Sequence, residues 1–173
     1  MRVEDQMHLK EIIDRFLKGE IYQQILFIIP RSQDKSVGER EIIVRNMLLD
    51  VINIIDYKFK FFPIDMFEVS VEAAEEFCGR LEKILEKSSY RLRYMEKMNY
   101  ISKKIEGILK EKAEKVGDKI VVIYNISSVK DTFDFDIERI IDIFWPSRMI
   151  IILPNIEGYT SSLSRGKIEW INV

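Results

Sequence analysis

The chain of 173 residues is long enough for one domain with a sizeable core, and its formal net charge of −2 gives it no general attraction for nucleic acid or lipid. Its single cysteine excludes a disulfide within the chain, so a reducing, cytoplasmic location is the simplest expectation. Its apolar runs are far shorter than the roughly 20 residues that cross a bilayer, and we expect no membrane partner.

The spacing of apolar residues predicts helices that alternate with strands. The first predicted elements are a helix over 4–18, a strand over 22–29, a helix over 39–55 and a strand over 58–62 that is broken at Pro63. Residues 70–117 then form a helical segment that is too long for a single crossover helix, and we predict a helical hairpin there. The remaining predicted elements are a strand over 119–125, a helix over 134–144, a strand over 149–153 and a half-exposed strand over 167–173.

Three of these strands, over 25–29, 119–125 and 149–153, are apolar on both faces. A strand of this kind must be covered on both sides, which is typical of the central strands of a parallel sheet between helices. We therefore predict one α/β domain over 1–173, with three layers and a mostly parallel sheet flanked by helices. The helical segment at about 70–117 is inserted between its strands.

The loop after the first apolar strand shows no phosphate-binding motif. It holds one glycine, Gly38, and the pattern G-x-x-x-x-G-K-[ST] has no match. Asn125 ends the central strand at the position where a nucleoside triphosphatase carries its metal-binding acid. The predicted fold therefore resembles a degenerate P-loop NTPase-like fold without a Walker A motif, and we expect neither a cofactor nor a metal.

Polar loops follow the three apolar strands at one edge of the predicted sheet. Ligands of open α/β sheets bind at the carboxyl ends of the strands, so we predict the ligand-binding candidates there. They are Arg31, Ser32, Asn125, Ser127, Ser128, Asn155, Tyr159 and Arg165. An anion site for a small-ligand or phosphoester-handling enzyme requires Arg31, Asn125 and Arg165 to lie within about 10 Å of one another. We favour the simpler interpretation that these are ordinary solvated loop residues, since a fold does not by itself confer a function.

The helical segment over 80–116 is locally basic and carries interleaved tyrosines. A basic helix with aromatic residues is one way of binding nucleic acid or an acidic protein. Most such helices are solvated faces crossed by ion pairs at i, i+4 spacing. The candidates for nucleic-acid or partner contact are Arg91, Arg93, Lys97, Lys103 and Lys104.

A family resemblance rests on the order and texture of several stretches. An early helix starts Glu39-Arg40-Glu41, the central strand and the loop after it occupy 121–129, and the last apolar strand is followed by Pro154 and by Gly158-Tyr159. In these features the chain resembles BrxB, a component of the BREX phage-exclusion systems of bacteria and archaea. Ser127-Ser128 stands where that family has small glycine-rich turns, and the glycine after Pro154 is displaced to Gly158.

The resemblance implies a non-catalytic role inside a multi-protein defence complex, beside a methyltransferase, a phosphatase-like protein and an ATPase. Our leading expectation is accordingly a non-catalytic interaction or scaffold component whose partners are other proteins. Two alternatives stay open. One is a small-ligand or phosphoester-handling enzyme at the carboxyl edge of the sheet, and the other is a nucleic-acid-binding protein that uses the basic helices over 80–116.

Overall fold

The computed structural model describes residues 3–54, 59–85 and 94–173. Helices and strands alternate through these ranges. In chain order they are α1 (Val3–Leu17), β1 (Ile25–Arg31), α2 (Val37–Ile52), β2 (Phe61–Asp65), α3 (Met66–Leu85), α4 (Tyr94–Ala113), β3 (Ile120–Tyr124), α5 (Ser127–Phe133), α6 (Ile137–Phe144), β4 (Met149–Ile152), α7 (Thr160–Leu163) and β5 (Lys167–Asn172).

The five strands form one sheet in the order β2-β3-β4-β1-β5, and each pair of neighbours is parallel. Its three interior strands are the three that are apolar on both faces. In the register of the sheet, Phe27 lies beside Ile151, which lies beside Ile123. The predicted α/β class and the predicted parallel sheet flanked by helices are therefore confirmed.

Alternate residues of the central strands supply two separate cores. On one face Phe27 of β1 packs in the same apolar cluster as Ile105 of α4 and Ile140 of α6. On the other face Leu26 of β1 packs in a cluster with α1 and with Met47 of α2. The protein thus has three layers, with α1 and α2 on one side of the sheet and α3 to α6 on the other.

The long helical segment between β2 and β3 packs on the sheet. Its first helix, α3, begins at Met66, four residues before the predicted start, because the Asp65 side chain accepts a hydrogen bond from the Phe67 amide at 2.9 Å and caps the helix. The ring centroids of Phe77 on α3 and Tyr100 on α4 lie 5.3 Å apart, so the two helices contact each other. In the described ranges, no helix combines the length and the apolar sequence that crossing a bilayer requires.

Edge strand β2 differs from its prediction at both ends, and it begins at Phe61. It does not break at Pro63 but continues through it to Asp65. Proline lacks a backbone donor, and it is tolerated here because, in the part of the chain that the structure describes, β2 pairs with β3 alone.

The connections of two neighbouring strands diverge at the carboxyl edge of the sheet. β1 leads to α2 on one face, whereas its neighbour β4 leads to Tyr159 and Leu163, which pack with the core of the opposite face. A crevice opens where adjacent strands send their chains to opposite faces, and this switch point is the usual ligand position in open α/β sheets. The carboxyl ends of β1 and β4 are therefore the place to examine for a site.

Candidate functional site

A cavity of about 460 Å³ lies at this switch point, and we call it the Glu41 cleft. Three elements surround it: the first turns of α2, the helix α5, and the loop between β4 and α7. Its lining residues are Val37, Gly38, Glu41, Ser127, Lys130, Asp131, Pro154, Asn155, Glu157 and Tyr159. Both the position and the volume are those of a small-ligand site in an α/β protein.

A capping box fixes the start of α2 at one wall of the cleft. Ser36 Oγ accepts a hydrogen bond from the Glu39 amide at 3.3 Å, and Glu39 Oε2 accepts one from the Ser36 amide at 2.9 Å. The hydrogen bonds to Ser36 lower the pKa of Glu39, which is consequently ionised at neutral pH. Its negative charge compensates the positive end of the helix dipole.

Glu41, on the next turn of α2, is a buried acid with 4% of its surface exposed. Ser127 Oγ donates to its Oε2 at 3.0 Å, while Oε1 is buried and has no hydrogen-bond partner among the described residues. Burial raises the pKa of Glu41, and the charge of Asp131 acts in the same direction. Ser127, the Arg45 charge and the Ile126 amide offset part of this rise. A buried polar atom without a partner requires an explanation, because leaving it unpaired costs about 1–3 kcal/mol.

The opposite wall of the cleft is joined to α5 through Lys130. Its Nζ donates to the Gly158 carbonyl at 2.7 Å and lies 3.7 Å from the ring centroid of Tyr159. Gly158 has a φ of +74°, and a Cβ added there would collide with Nζ of Lys130. Burial raises the pKa of the Tyr159 hydroxyl, so this side chain stays neutral and protonated.

The charges around the cleft are unequal. Three acids, Glu41, Asp131 and Glu157, face one base, Lys130, whose charge already contacts a carbonyl and an aromatic ring. An acidic lining repels phosphate and other anions, and it attracts cations. The cleft is therefore suited to a cationic or neutral hydrogen-bonding group.

Three of the residues predicted from the sequence, Ser127, Asn155 and Tyr159, meet in this cleft. Ser128 lies close by but faces the backbone, since its Oγ donates to the Asn125 carbonyl at 2.6 Å. Sequence reasoning missed Glu41, although a signal was present. Glu41 continues the buried stripe of α2 toward its N-terminus, three residues before the buried Val44. A charged residue in such a stripe indicates a site.

The side chain of Asn125 forms hydrogen bonds with residues of two other elements. Its Nδ2 donates to Asp65 Oδ1 at 2.8 Å, and its Oδ1 accepts from Arg45 Nη1 at 3.3 Å. Its φ of 58° is in the left-handed region, which asparagine tolerates better than most residues. Asn125 thereby links the ends of β2 and β3 to α2, and both ends of its side chain are occupied by the fold.

Arg31 and Ser32 line a different cavity, of about 860 Å³, beside the ends of β1 and β5. The Arg31 guanidinium carbon lies 3.7 Å from the ring centroid of Trp170. Arg40 and Met47 of α2 line this cavity. The α2 residues that line the Glu41 cleft are Val37, Gly38 and Glu41. Arg31 and the Glu41 cleft are therefore on different faces of α2.

Arg165 is not at the carboxyl edge, which corrects its predicted position. It lies two residues before β5, and the start of β5 lies beside Leu26 at the start of β1, because the two strands are parallel. Arg165 Nη1 donates to Glu138 Oε2 at 2.8 Å and to Asp142 Oδ1 at 2.7 Å. The expected anion site formed by Arg31, Asn125 and Arg165 is accordingly not assembled.

The basic candidates of the helical segment were Arg91, Arg93, Lys97, Lys103 and Lys104. Arg91 and Arg93 lie outside the described residues, and Lys97 and Lys103 are exposed on α4. Lys104 Nζ forms an ion pair with Glu76 Oε1 of α3 at 2.6 Å. Since an acid on the neighbouring helix neutralises Lys104, this part of α4 resembles a solvated face crossed by ion pairs.

The chain was compared with protein-family models, with curated proteins and with solved structures, and none of them matches it. Within the described ranges, no group of three or more His, Cys, Asp or Glu side chains is arranged to hold a metal ion. The chemistry of the Glu41 cleft is thus inferred from its own geometry.

Proposed function

We propose that this protein is a non-catalytic interaction component whose partners are other proteins and whose recognition site is the Glu41 cleft. The observation that supports this most directly is the buried Glu41 carboxyl with one oxygen unpaired, at the edge of an open cavity. Such an oxygen is stabilised when a partner group binds it. The resemblance to BrxB suggests the setting, a cytoplasmic BREX-like complex for phage defence.

The polar groups at the carboxyl edge favour binding over catalysis. Asn125 is held by Asp65 and Arg45, and the guanidinium of Arg31 stacks on Trp170. A general acid or base must reach the substrate proton that it transfers, directly or through one water. Asn125 and Arg31 already contact other residues of the protein and are not free to transfer a proton. This edge of the sheet is therefore better suited to recognising a partner than to catalysing a reaction.

An apolar strip near β2 adds a second argument for a protein partner. Phe67 and Val71 lie one turn apart on α3 and are 56% and 38% exposed. Aromatic side chains are enriched at protein–protein interfaces. Pro63 lies in the neighbouring edge strand and discourages the addition of another strand, which favours side-chain docking at this surface.

Co-expression tests the proposal. The tagged full-length chain is produced with the proteins encoded by its neighbouring genes, and we expect a methyltransferase, a phosphatase-like protein or an ATPase to co-purify in a fixed ratio. Calorimetric titration with ATP and magnesium is the second measurement, and we expect no saturable heat. Failure to form a complex with any of these proteins, or micromolar ATP binding with turnover, would overturn the proposal.

A further inference from the structure

We infer that the Glu41 cleft binds a cationic nitrogen group, a guanidinium or a primary ammonium, which pairs with Glu41 and Asp131. This inference rests on the proposed function and specifies the chemistry that the partner presents. It starts from two independent features of the cleft. One is the unpaired Oε1 of Glu41, and the other is the excess of acids in the lining.

Glu41 has one carboxyl oxygen that can still accept a hydrogen bond. Glu41 Oε2 already accepts from Ser127, so the bond that is missing is one to Oε1. An ionised carboxylate only accepts hydrogen bonds, and it forms the strongest ones with charged N–H donors. A cationic N–H group supplies the missing donor and also the charge that stabilises a buried carboxylate.

The positive groups around the cleft are already engaged by the fold. The helix dipole of α2 favours an anion at its N-terminus, but the Glu39 carboxylate in the capping box occupies that end. Lys130 donates to Gly158 and is directed at the Tyr159 ring. Arg45, whose charge also acts on Glu41, donates to the side chains of Asn46 and Asn125. With these positive groups engaged, the acids Asp131 and Glu157 determine the sign of the cleft lining, and a cation is preferred.

The cleft is large enough for the end of a cationic side chain. A volume of about 460 Å³ lies within the range of small-ligand pockets and accommodates the end of an arginine or lysine side chain. Oε1 of Glu41 lies beneath the cleft surface, so contact with it requires a side-chain adjustment of the kind that is common on binding. The planar fork of a guanidinium suits contact with two carboxyl groups, those of Glu41 and Asp131.

The experiment titrates the full-length protein, labelled with ¹⁵N, with methylguanidinium chloride at constant ionic strength. We expect saturable shifts of the amide resonances of Gly38, Ser127, Asp131 and Asn155, with a dissociation constant in the millimolar range that suits a single ion pair. Sodium chloride and methyl phosphate are the control ligands, and neither should give saturable shifts at these amides.

Variants connect the binding to the named carboxyl groups. Glu41→Gln keeps the size and the acceptor for Ser127, and we expect it to weaken methylguanidinium binding at least tenfold, whereas Asp131→Asn should have a smaller effect. Glu11→Gln is the matched control, because Glu11 is an exposed acid on α1. The affinity of Glu11→Gln for methylguanidinium should equal that of the wild type. Equal affinity in Glu41→Gln, or saturable binding of methyl phosphate in place of the cation, would overturn the inference.

A final comparison identifies the source of the cation. Short peptides that contain one arginine or one lysine are titrated beside free agmatine and free ethylamine. Tighter binding of a peptide assigns the group to a protein side chain, and equal binding assigns it to a free amine. A complex that forms while the cleft binds no cation overturns this inference and leaves the proposed function standing. If the cleft binds the cation but no complex forms, the proposed function is overturned and this inference stands.

Discussion

Glu41 is an acid on the buried stripe of a helix, and its protonation is linked to folding. Burial raises its pKa above the ordinary 4.5, so between 4.5 and the higher folded value the folded state binds more protons than the unfolded state. Protonated Glu41 therefore stabilises the folded protein below pH 4.5, and this contribution to the unfolding free energy is lost as the pH rises through the pKa that Glu41 has in the folded state. We predict that Glu41→Gln is more stable than the wild type at pH 7.5, by on the order of 1 kcal/mol, with a smaller advantage below pH 4.5.

Urea unfolding across a pH series measures this difference. Glu11→Gln again serves as the control, since its side chain is exposed on α1. A constant difference between Glu41→Gln and the wild type at every pH would contradict the raised pKa.

Asn125 combines a left-handed backbone with two side-chain hydrogen bonds. Asn125→Ala keeps a Cβ at a positive φ and removes the partners of Asp65 and Arg45. We predict a loss of about 1–3 kcal/mol of unfolding free energy, which chemical denaturation measures.

Asn125→Gly separates the two contributions, because glycine accepts the positive φ but forms no side-chain hydrogen bonds. Its stability should fall between those of the wild type and Asn125→Ala. If both variants were as stable as the wild type, Asn125 would have no role as a link between strands.

The sequence predicted individual site residues unevenly, for a geometric reason. Ser127, Asn155 and Tyr159 follow interior strands at their carboxyl ends and do meet in the Glu41 cleft. Arg165 follows a strand too, but the chain returns through α7 to the amino edge before it enters β5. The sequence does not show at which edge of the sheet a loop ends. The position of Arg165 after a strand in the chain was therefore not enough to predict its position in the structure.

At the scale of elements, the interior strands were the most predictable part of the chain. Continuous apolar runs require cover on both faces, and all three runs occupy interior positions in the sheet. Short helices were less predictable, as α5 and α7 fall in stretches that were expected to be loops. Their few residues provide too little periodicity to identify a helix.

Helix α2 shows how a cap determines an element boundary. Its predicted start was Glu39, yet it begins at Val37 because Ser36 and Glu39 form a capping box that is readable as S-x-x-E. We predict that Ser36→Ala lowers the unfolding free energy by about 1 kcal/mol, since the Glu39 amide loses its partner. Thermal or urea unfolding measures the change. Ser36→Thr should retain most of the stability, and a loss as large as that of Ser36→Ala would argue against the cap as the cause.

At the scale of the whole molecule, the parallel sheet brings two distinct surfaces to the same edge. The Glu41 cleft lies beyond β1 and β4, while Phe67 follows directly after β2, so both are at the carboxyl ends of strands. The parallel architecture could be predicted from three apolar strands, but this juxtaposition depends on the strand order, which the sequence did not reveal. A partner protein that covers this edge would contact both surfaces at once.

Phe67→Glu tests the wider contact. Because Phe67 is 56% exposed, we predict that this variant changes the unfolding free energy by less than about 0.5 kcal/mol. A charge at the centre of an apolar contact should nevertheless abolish or strongly reduce co-purification of the partner complex. Val71→Glu, one helical turn away, should act in the same way, whereas Glu72→Gln, a conservative change at the neighbouring exposed position, should not. Normal complex formation by both charged variants would confine recognition to the cleft and exclude the apolar strip from the interface.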